Sequence, residues 1–228
     1  MDVRELKLQT VKDAVSEIKD GMVVGIGTGS TIELLLPHIA ALLEDGTTKI
    51  TGVCTSNKTG LAAKELGITI VDVNDVEHID VAIDGADEFD PDLNLIKGGG
   101  GALFREKVID EMAERFVVIA DETKQVDYLG QTFKLPVEVD RFNWMLVAKK
   151  IEAQTKAKVT RRNVEDITFV TDNGNYILDI ELPPNTDPYD MHNYLINLTG
   201  VLETGYFLDL ADRVIVGKQQ GVEIIDKA

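Results

Sequence analysis

The strongest constraint on this chain is an alternation through its first half. Short apolar runs, each ended by glycine or a polar turn, are followed by stretches with helical spacing. Leu8, Val11, Val15 and Ile18 recur at that spacing before Gly21. Met22 to Gly27 then reads as a strand, Thr31 to Leu43 as a helix, Lys49 to Thr55 as a strand, and Asn57 to Leu66 as a helix stopped by Gly67. Ile68 to Val73 and Ile79 to Asp84 read as further strands, Ala102 to Arg115 as a helix and Phe116 to Asp121 as a strand. Pro37 is expected to kink or split its helix, since it removes a backbone donor. Strands separated by helices pair in parallel. The expected fold is therefore α/β, an open Rossmann-like parallel sheet with helices on both faces.

The pattern changes near Leu135. Leu135 to Val139, Lys158 to Arg162, Phe169 to Thr171, Tyr176 to Glu181 and Val201 to Leu208 read as strands. Trp144 to Ala153 and Asp190 to Leu198 read as helices, and Asp172-Asn173-Gly174-Asn175 as a hairpin turn. The order β-α-β-β-α-β is that of a ferredoxin-like unit. Arg213 to Val216 and Val222 to Ile225 are expected to return to the first sheet. The smaller α+β domain is then an insertion near the C-terminal end, with residues 132–207 in it and residues 1–131 and 208–228 in the Rossmann-like domain.

Composition excludes several classes. With 44% hydrophobic and 28% charged residues the chain can build a core. A net charge of −17 repels phosphate backbones and anionic lipid, which argues against nucleic-acid and membrane-surface partners. No apolar run is long enough for a membrane span, and the charged N-terminus lacks a signal region. A single cysteine, Cys54, allows no internal disulfide, and the expected setting is the reducing cytoplasm.

Four clusters carry residues suited to chemistry. Gly25 to Thr31, between a strand and a helix, offers open backbone N–H groups plus the hydroxyls of Thr28, Ser30 and Thr31, which suits a phosphate. It is neither a dinucleotide fingerprint nor a nucleotide P-loop, because Ser30 holds the third glycine position and no Gly-Lys-Ser/Thr follows. A tight turn with Ser30 or Thr31 as helix cap explains it equally well. Asp84-Gly85-Ala86-Asp87-Glu88 follows another strand and suits sugar hydroxyls or proton transfer better than metal. A solvated acidic turn is its bland alternative. The three histidines, His38, His78 and His192, are scattered and read as structural.

Lys97-Gly98-Gly99-Gly100-Gly101 is costly to order, which favours a backbone wrapped around a small ligand over a plain hinge. Glu106 follows it, roughly 40° round the helix from the apolar stripe of Ala102, Ile109, Ala113 and Phe116. A half-desolvated carboxylate there suits a general base, although a Glu paired at a helix edge is the commoner outcome. Lys107, Glu111 and Glu114 fall on the polar side. Lys124, after the strand ending at Asp121, suits an anionic substrate or is a surface lysine. All four clusters follow strands of one sheet. Together they read as a sugar-phosphate site.

At these residues the chain resembles the type A ribose-5-phosphate isomerases. The likeness is carried by Gly27 to Thr31, Asp84 to Glu88, Lys97 to Gly100 with Arg105-Glu106-Lys107, and Ala120-Asp121 with Lys124-Gln125-Val126. Leu135 to Val139 and Val170 to Asn175 extend it over nearly the whole chain. The resemblance implies aldose–ketose isomerisation of ribose 5-phosphate and ribulose 5-phosphate through an enediolate, in pentose phosphate metabolism and without a cofactor or metal. It implies that Glu106 is the general base. It implies that Asp84, Asp87 and Lys97 contact the sugar, assist ring opening and stabilise the intermediate. Thr28, Gly29, Ser30 and Thr31 match the substrate-binding turn. Gly85, Ala86, Gly98, Gly99, Gly100 and Lys124 complete the substrate contacts, with Lys7 a further candidate for the phosphate. The implied assembly is a homodimer, sometimes a tetramer. The rival readings are a sugar-phosphate deaminase, a CoA-transferase-like enzyme and a non-catalytic sugar-phosphate sensor.

Overall fold

The structure is a computed structural model that describes residues 1–227. The chain divides into two compact units. The first holds residues 1–86, 105–125 and those from 210 onward; the second holds 87–104 and 126–209.

The first unit is built on a six-stranded sheet. Its order is Gly221–Asp226, Arg213–Lys218, Phe116–Asp121, Val81–Gly85, Val23–Ile26 and Thr51–Cys54. The terminal pair 213–218 and 221–226 is antiparallel, and every other neighbour is parallel. The two C-terminal strands thus return to the first sheet. Parallel strands covered on both faces need no polar alternation, and all six residues of Phe116–Asp121 are buried. Helices Val3–Ser16 and Ser30–Leu43 bury Val11, Ala14, Ile32, Leu35 and Ile39 with Val24, Ile26, Val81 and Ile83 of one face. On the other face Ile109 of helix Leu103–Met112 sits where Gly25 and Ala82 leave room for it. Asp2 and Glu5 close the first helix with reciprocal capping bonds.

In the second unit the strands Leu135–Val139, Lys158–Arg161, Tyr176–Glu181 and Val201–Thr204 form an antiparallel sheet. Their spatial order is fourth, first, third, second. With helices Trp144–Thr155 and Pro188–Ile196 this is the expected β-α-β-β-α-β unit. A small sheet of Tyr206–Phe207, Leu95–Ile96 and Glu88–Phe89 accompanies it.

Several expectations need correction. The second unit is larger than residues 132–207, because 87–104 and 126–131 belong to it. The Glu88 carboxylate ties them in, accepting from the N–H groups of Gly130, Thr132 and Phe133. Pro37 does not split its helix, which runs from Ser30 to Leu43 with Ile32, Leu35, Leu36 and Ile39 buried. Ile68 to Val73 makes only a single bridge at Ile70, after which Asp72 caps a 3₁₀ turn. Phe169 to Thr171 is not a strand. The hairpin there joins Asn163–Val164 to Ile167–Thr168 through Glu165 and Asp166, both at positive φ. Val201 to Leu208 breaks at Gly205, so its halves join different sheets. No helix among the described residues is long and apolar enough to cross a membrane.

Candidate active site

In the first unit the candidate side chains Thr28 to Thr31, Asp84 and Lys124 lie at the C-terminal ends of parallel strands. After Val23–Ile26 the chain turns sharply, and the Gly27 N–H donates to the Ile83 carbonyl (3.0 Å). A Cβ on Gly27 would lie 1.9 Å from Oδ1 of Asp84, so only glycine lets this turn meet that carboxylate. Asp84 is fully buried. Its Oδ1 accepts from the backbone N–H groups of Thr28 (3.1 Å) and Gly85 (2.7 Å). Gly29, at φ 119°, is the residue before the helix and brings no capping side chain. Neither Ser30 nor Thr31 caps it, and the first-turn N–H groups have no side-chain cap, the arrangement an anion uses. Ser30 instead accepts from Nζ of Lys7 (2.9 Å).

The neighbouring strand adds residues that sequence reasoning missed. The Thr28 hydroxyl lies 2.6 Å from that of Thr55 and 2.8 Å from that of Ser56. Ser56 caps the helix Asn57–Glu65 through the Thr59 N–H and also bonds the Thr59 hydroxyl. The available signal was positional: Thr55 and Ser56 end the strand beside Val23–Ile26, where parallel pairing brings them next to Thr28. Cys54, just before them, has its thiol pushed up to about 12 by burial, so it is protonated and packs rather than reacts.

Glu106 lies in the first turn of its helix, one turn nearer the start than Ile109. It is 3% exposed, drier than an edge position would be. Lys107, expected on the polar side, is buried, as is Asp110, because this helix is covered on more than its apolar stripe. Arg105 reaches Oδ1 of Asn57 (3.0 Å). Lys124 is half-buried in the 3₁₀ turn Glu122–Lys124, which Asp121 caps at the end of Phe116–Asp121. Gly85 and Ala86 are half-buried at the end of Val81–Gly85.

The second unit holds Asp87 and the glycine run. The Asp87 carboxylate accepts from the Gly99 N–H (2.6 Å), and a Cβ on Gly99 would lie 2.5 Å from its Oδ1. Lys97 is 2% exposed, with its ammonium 5.2 Å from the centre of the Phe207 ring, a cation–π contact. Gly98 is buried, whereas Gly99 and Gly100 are exposed. The structure thus places Thr28 to Thr31, Asp84, Glu106 and Lys124 in one unit, and Asp87 and Lys97 to Gly100 in the other. Among the described residues no group of three or more His, Cys, Asp or Glu side chains is placed to hold a metal ion.

Residues 51–221 match the family described as ribose 5-phosphate isomerase A (phosphoriboisomerase A). The chain belongs to the ribose 5-phosphate isomerase A family. It is 66% identical over 226 residues to the ribose-5-phosphate isomerase A of Staphylococcus aureus strain MRSA252, covering 99% of both chains. The Staphylococcus epidermidis enzyme of strain ATCC 12228 is also 66% identical, over 99% of this chain and 98% of its own. Among solved structures, a D-ribose-5-phosphate isomerase in complex with phospho-erythronic acid matches with a TM-score of 0.95 at 43% identity, over 99% of this chain and 100% of that one. The family member from Methanocaldococcus jannaschii matches at 0.92 and 35% identity, over 98% and 99%.

Proposed function

We propose that the chain is a ribose-5-phosphate isomerase interconverting D-ribose 5-phosphate and D-ribulose 5-phosphate in the non-oxidative pentose phosphate pathway. The reaction moves a proton between C2 and C1 of the open-chain sugar. An α-proton of an aldose is weakly acidic, so its removal needs a positioned base and stabilisation of the charge that develops on the carbonyl oxygen. Glu106 takes the proton from C2 and returns it to C1. Lys97 and the N–H groups of Gly98 and Gly100 stabilise the enediolate, while the Gly99 N–H holds Asp87. Asp84 and Asp87 hold sugar hydroxyls and assist ring opening. Thr28 to Thr31 and Lys124, with Lys7 beside Ser30, hold the phosphate end. Gly85 and Ala86 contribute backbone contacts. No cofactor takes part in these steps.

The observation that carries this reading is the burial of Glu106 in the first helical turn after the glycine run, within a chain 66% identical to proteins bearing that activity in their names. Glu106→Gln keeps the shape and removes the base. It is expected to bind substrate normally and to lose about 10²- to 10⁴-fold in turnover. Near-normal turnover in this variant would remove Glu106 from its role. In deuterated solvent, label is expected to enter the sugar during turnover, read by NMR. A reaction that never exchanges label would point to hydride transfer instead. The assembly we propose is a homodimer in the cytoplasm, checked by light scattering of the purified protein and by cell fractionation.

A further inference from the structure

We propose that Arg162 is a positioning residue for this reaction, holding the Gly98–Gly100 backbone and, through it, the carboxylate of Asp87. The inference rests on the isomerase reading above. Every group in it belongs to the second unit.

Arg162 follows the strand Lys158–Arg161, 64 positions beyond Gly98, and its side chain is only 12% exposed. Its Nη1 donates to the carbonyls of Gly98 (2.7 Å) and Gly99 (3.0 Å). Its Nε donates to Oδ2 of Asp179 (2.9 Å), and Nη2 donates to Oδ1 of the same carboxylate. Arg162 is itself held by the strand ladder. Its N–H donates to the Ile177 carbonyl (2.9 Å) and its own carbonyl accepts from Phe169 (3.0 Å).

The consequence lies in the peptide planes. The amide joining Gly98 to Gly99 is gripped from both ends: its oxygen accepts from Arg162, and its N–H donates to Asp87 (2.6 Å). The same oxygen accepts from the Gly101 N–H (2.9 Å), closing a turn. The next amide is held by its oxygen alone, so its N–H, that of Gly100, points away from the guanidinium. A run of four glycines has no side chains to fix these planes and samples many conformations when left alone. One guanidinium fixes two of them at once.

A stabilising role alone does not explain this choice. A mostly buried ion pair is often no better than an apolar pair of the same volume. What the fork of Arg offers, and an ammonium does not, is a carboxylate and two carbonyls engaged in fixed directions. If the Gly100 N–H meets the developing negative charge, as the isomerase reading has it, those directions set the rate, since a displacement of about 1 Å can cost about 100-fold.

The test compares wild type, Arg162→Met, Arg162→Lys and Asp179→Asn with ribose 5-phosphate as substrate and, as a competing probe, phospho-erythronic acid, the compound in the solved relative's complex. Loosened loop planes weaken transition-state contacts more than ground-state ones. Arg162→Met is therefore expected to lower kcat by about 10- to 100-fold with KM changed by less than about threefold. Inhibition by phospho-erythronic acid is expected to weaken in parallel. Arg162→Lys restores part of kcat, and Asp179→Asn, with Arg162 less firmly held, falls between. If Arg162→Met does not fold, Asp179→Asn and Arg162→Lys decide the matter on the same readouts. A folded variant with less thermal stability but wild-type kcat and inhibition would make Arg162 merely structural and overturn the assignment. An inactive wild type would instead overturn the isomerase reading, and the assignment with it.

Discussion

Gly27→Ala is the sharpest probe of the site's architecture. The added methyl would lie 1.9 Å from Oδ1, 2.0 Å from Cγ and 2.6 Å from Cβ of Asp84. Carbon contacts are comfortable at about 3.5–4.0 Å, so the overlap is too large for small adjustments to absorb. Asp84 is fully buried between strands, and the atoms in the way include its own Cβ, so the carboxylate must swing off the Thr28 and Gly85 N–H groups. Overpacking costs about 1–3 kcal/mol. Each hydrogen bond to a charged group contributes about 1.5–3 kcal/mol. Losing even one while crowding the turn is expected to cost about 3 kcal/mol or more of stability. Turnover is expected to fall by about 100-fold or more, because the displaced group is one proposed to hold the sugar. Urea unfolding followed by far-ultraviolet circular dichroism reads the first effect, and ketose absorbance from ribose 5-phosphate the second. Gly60→Ala is the internal control: it lies inside helix Asn57–Glu65, and its nearest new contact is an ordinary 3.8 Å to Cβ of Cys54. It is expected to gain about 0.5–1 kcal/mol with turnover unchanged. Wild-type turnover and stability in Gly27→Ala would refute the close approach of Gly27 to Asp84.

Two further predictions concern ionisation. Burial raises the pKa of Asp90 above the ordinary carboxylate value, outweighing its bonds from Asn94 and Asp92. A carboxyl whose folded pKa is raised costs stability when ionised, and that cost disappears as pH falls through the folded value. Asp90→Asn keeps an acceptor for the Asp92 and Asn94 N–H groups. It is expected to raise the melting temperature at pH 7.5 and to lose that advantage as pH falls through the raised folded pKa of Asp90; an advantage that grows in acid would refute the desolvation argument. Cys54, with its thiol at about 12, is expected to react with iodoacetamide at pH 7.5 far more slowly in the folded protein than in urea. Equal rates, measured by mass spectrometry, would show the thiol to be open.

Local chemistry wrote much of this protein into its chain. The strands at Val23–Ile26, Val81–Gly85 and Phe116–Asp121 are short apolar runs bounded by turn residues, and their helices carry the 3.6-residue period. Periods and turns act over a few residues, so they are readable without a partner. The clusters after Val23–Ile26, Val81–Gly85 and Phe116–Asp121 were readable in the same way, whereas the Lys97 cluster, expected to follow a strand of the same sheet, follows Leu95–Ile96 of the small sheet, and Glu106, expected at the margin of a buried face, is buried outright. Even the return of the two C-terminal runs to the first sheet was visible, while their antiparallel pairing came from the structure.

What tertiary structure alone decided are relations between residues far apart in sequence. Thr55, Ser56 and Thr59 meet the Thr28 hydroxyl because two parallel strands end side by side. Arg162 meets Gly98 across 64 positions. Lys107 looks solvent-facing by helical period yet is buried, since period marks the apolar face but not what else covers the helix. Gly205 stands where one apolar run passes between two sheets, its N–H donating to the Pro136 carbonyl (2.7 Å) and its own carbonyl accepting from the Lys97 N–H (2.9 Å), and a Cβ there would lie 2.5 Å from the Lys97 carbonyl oxygen. Propensity and patterning are summed along the chain, whereas such contacts depend on which segments packing brings together. That information sits in no single window of the sequence.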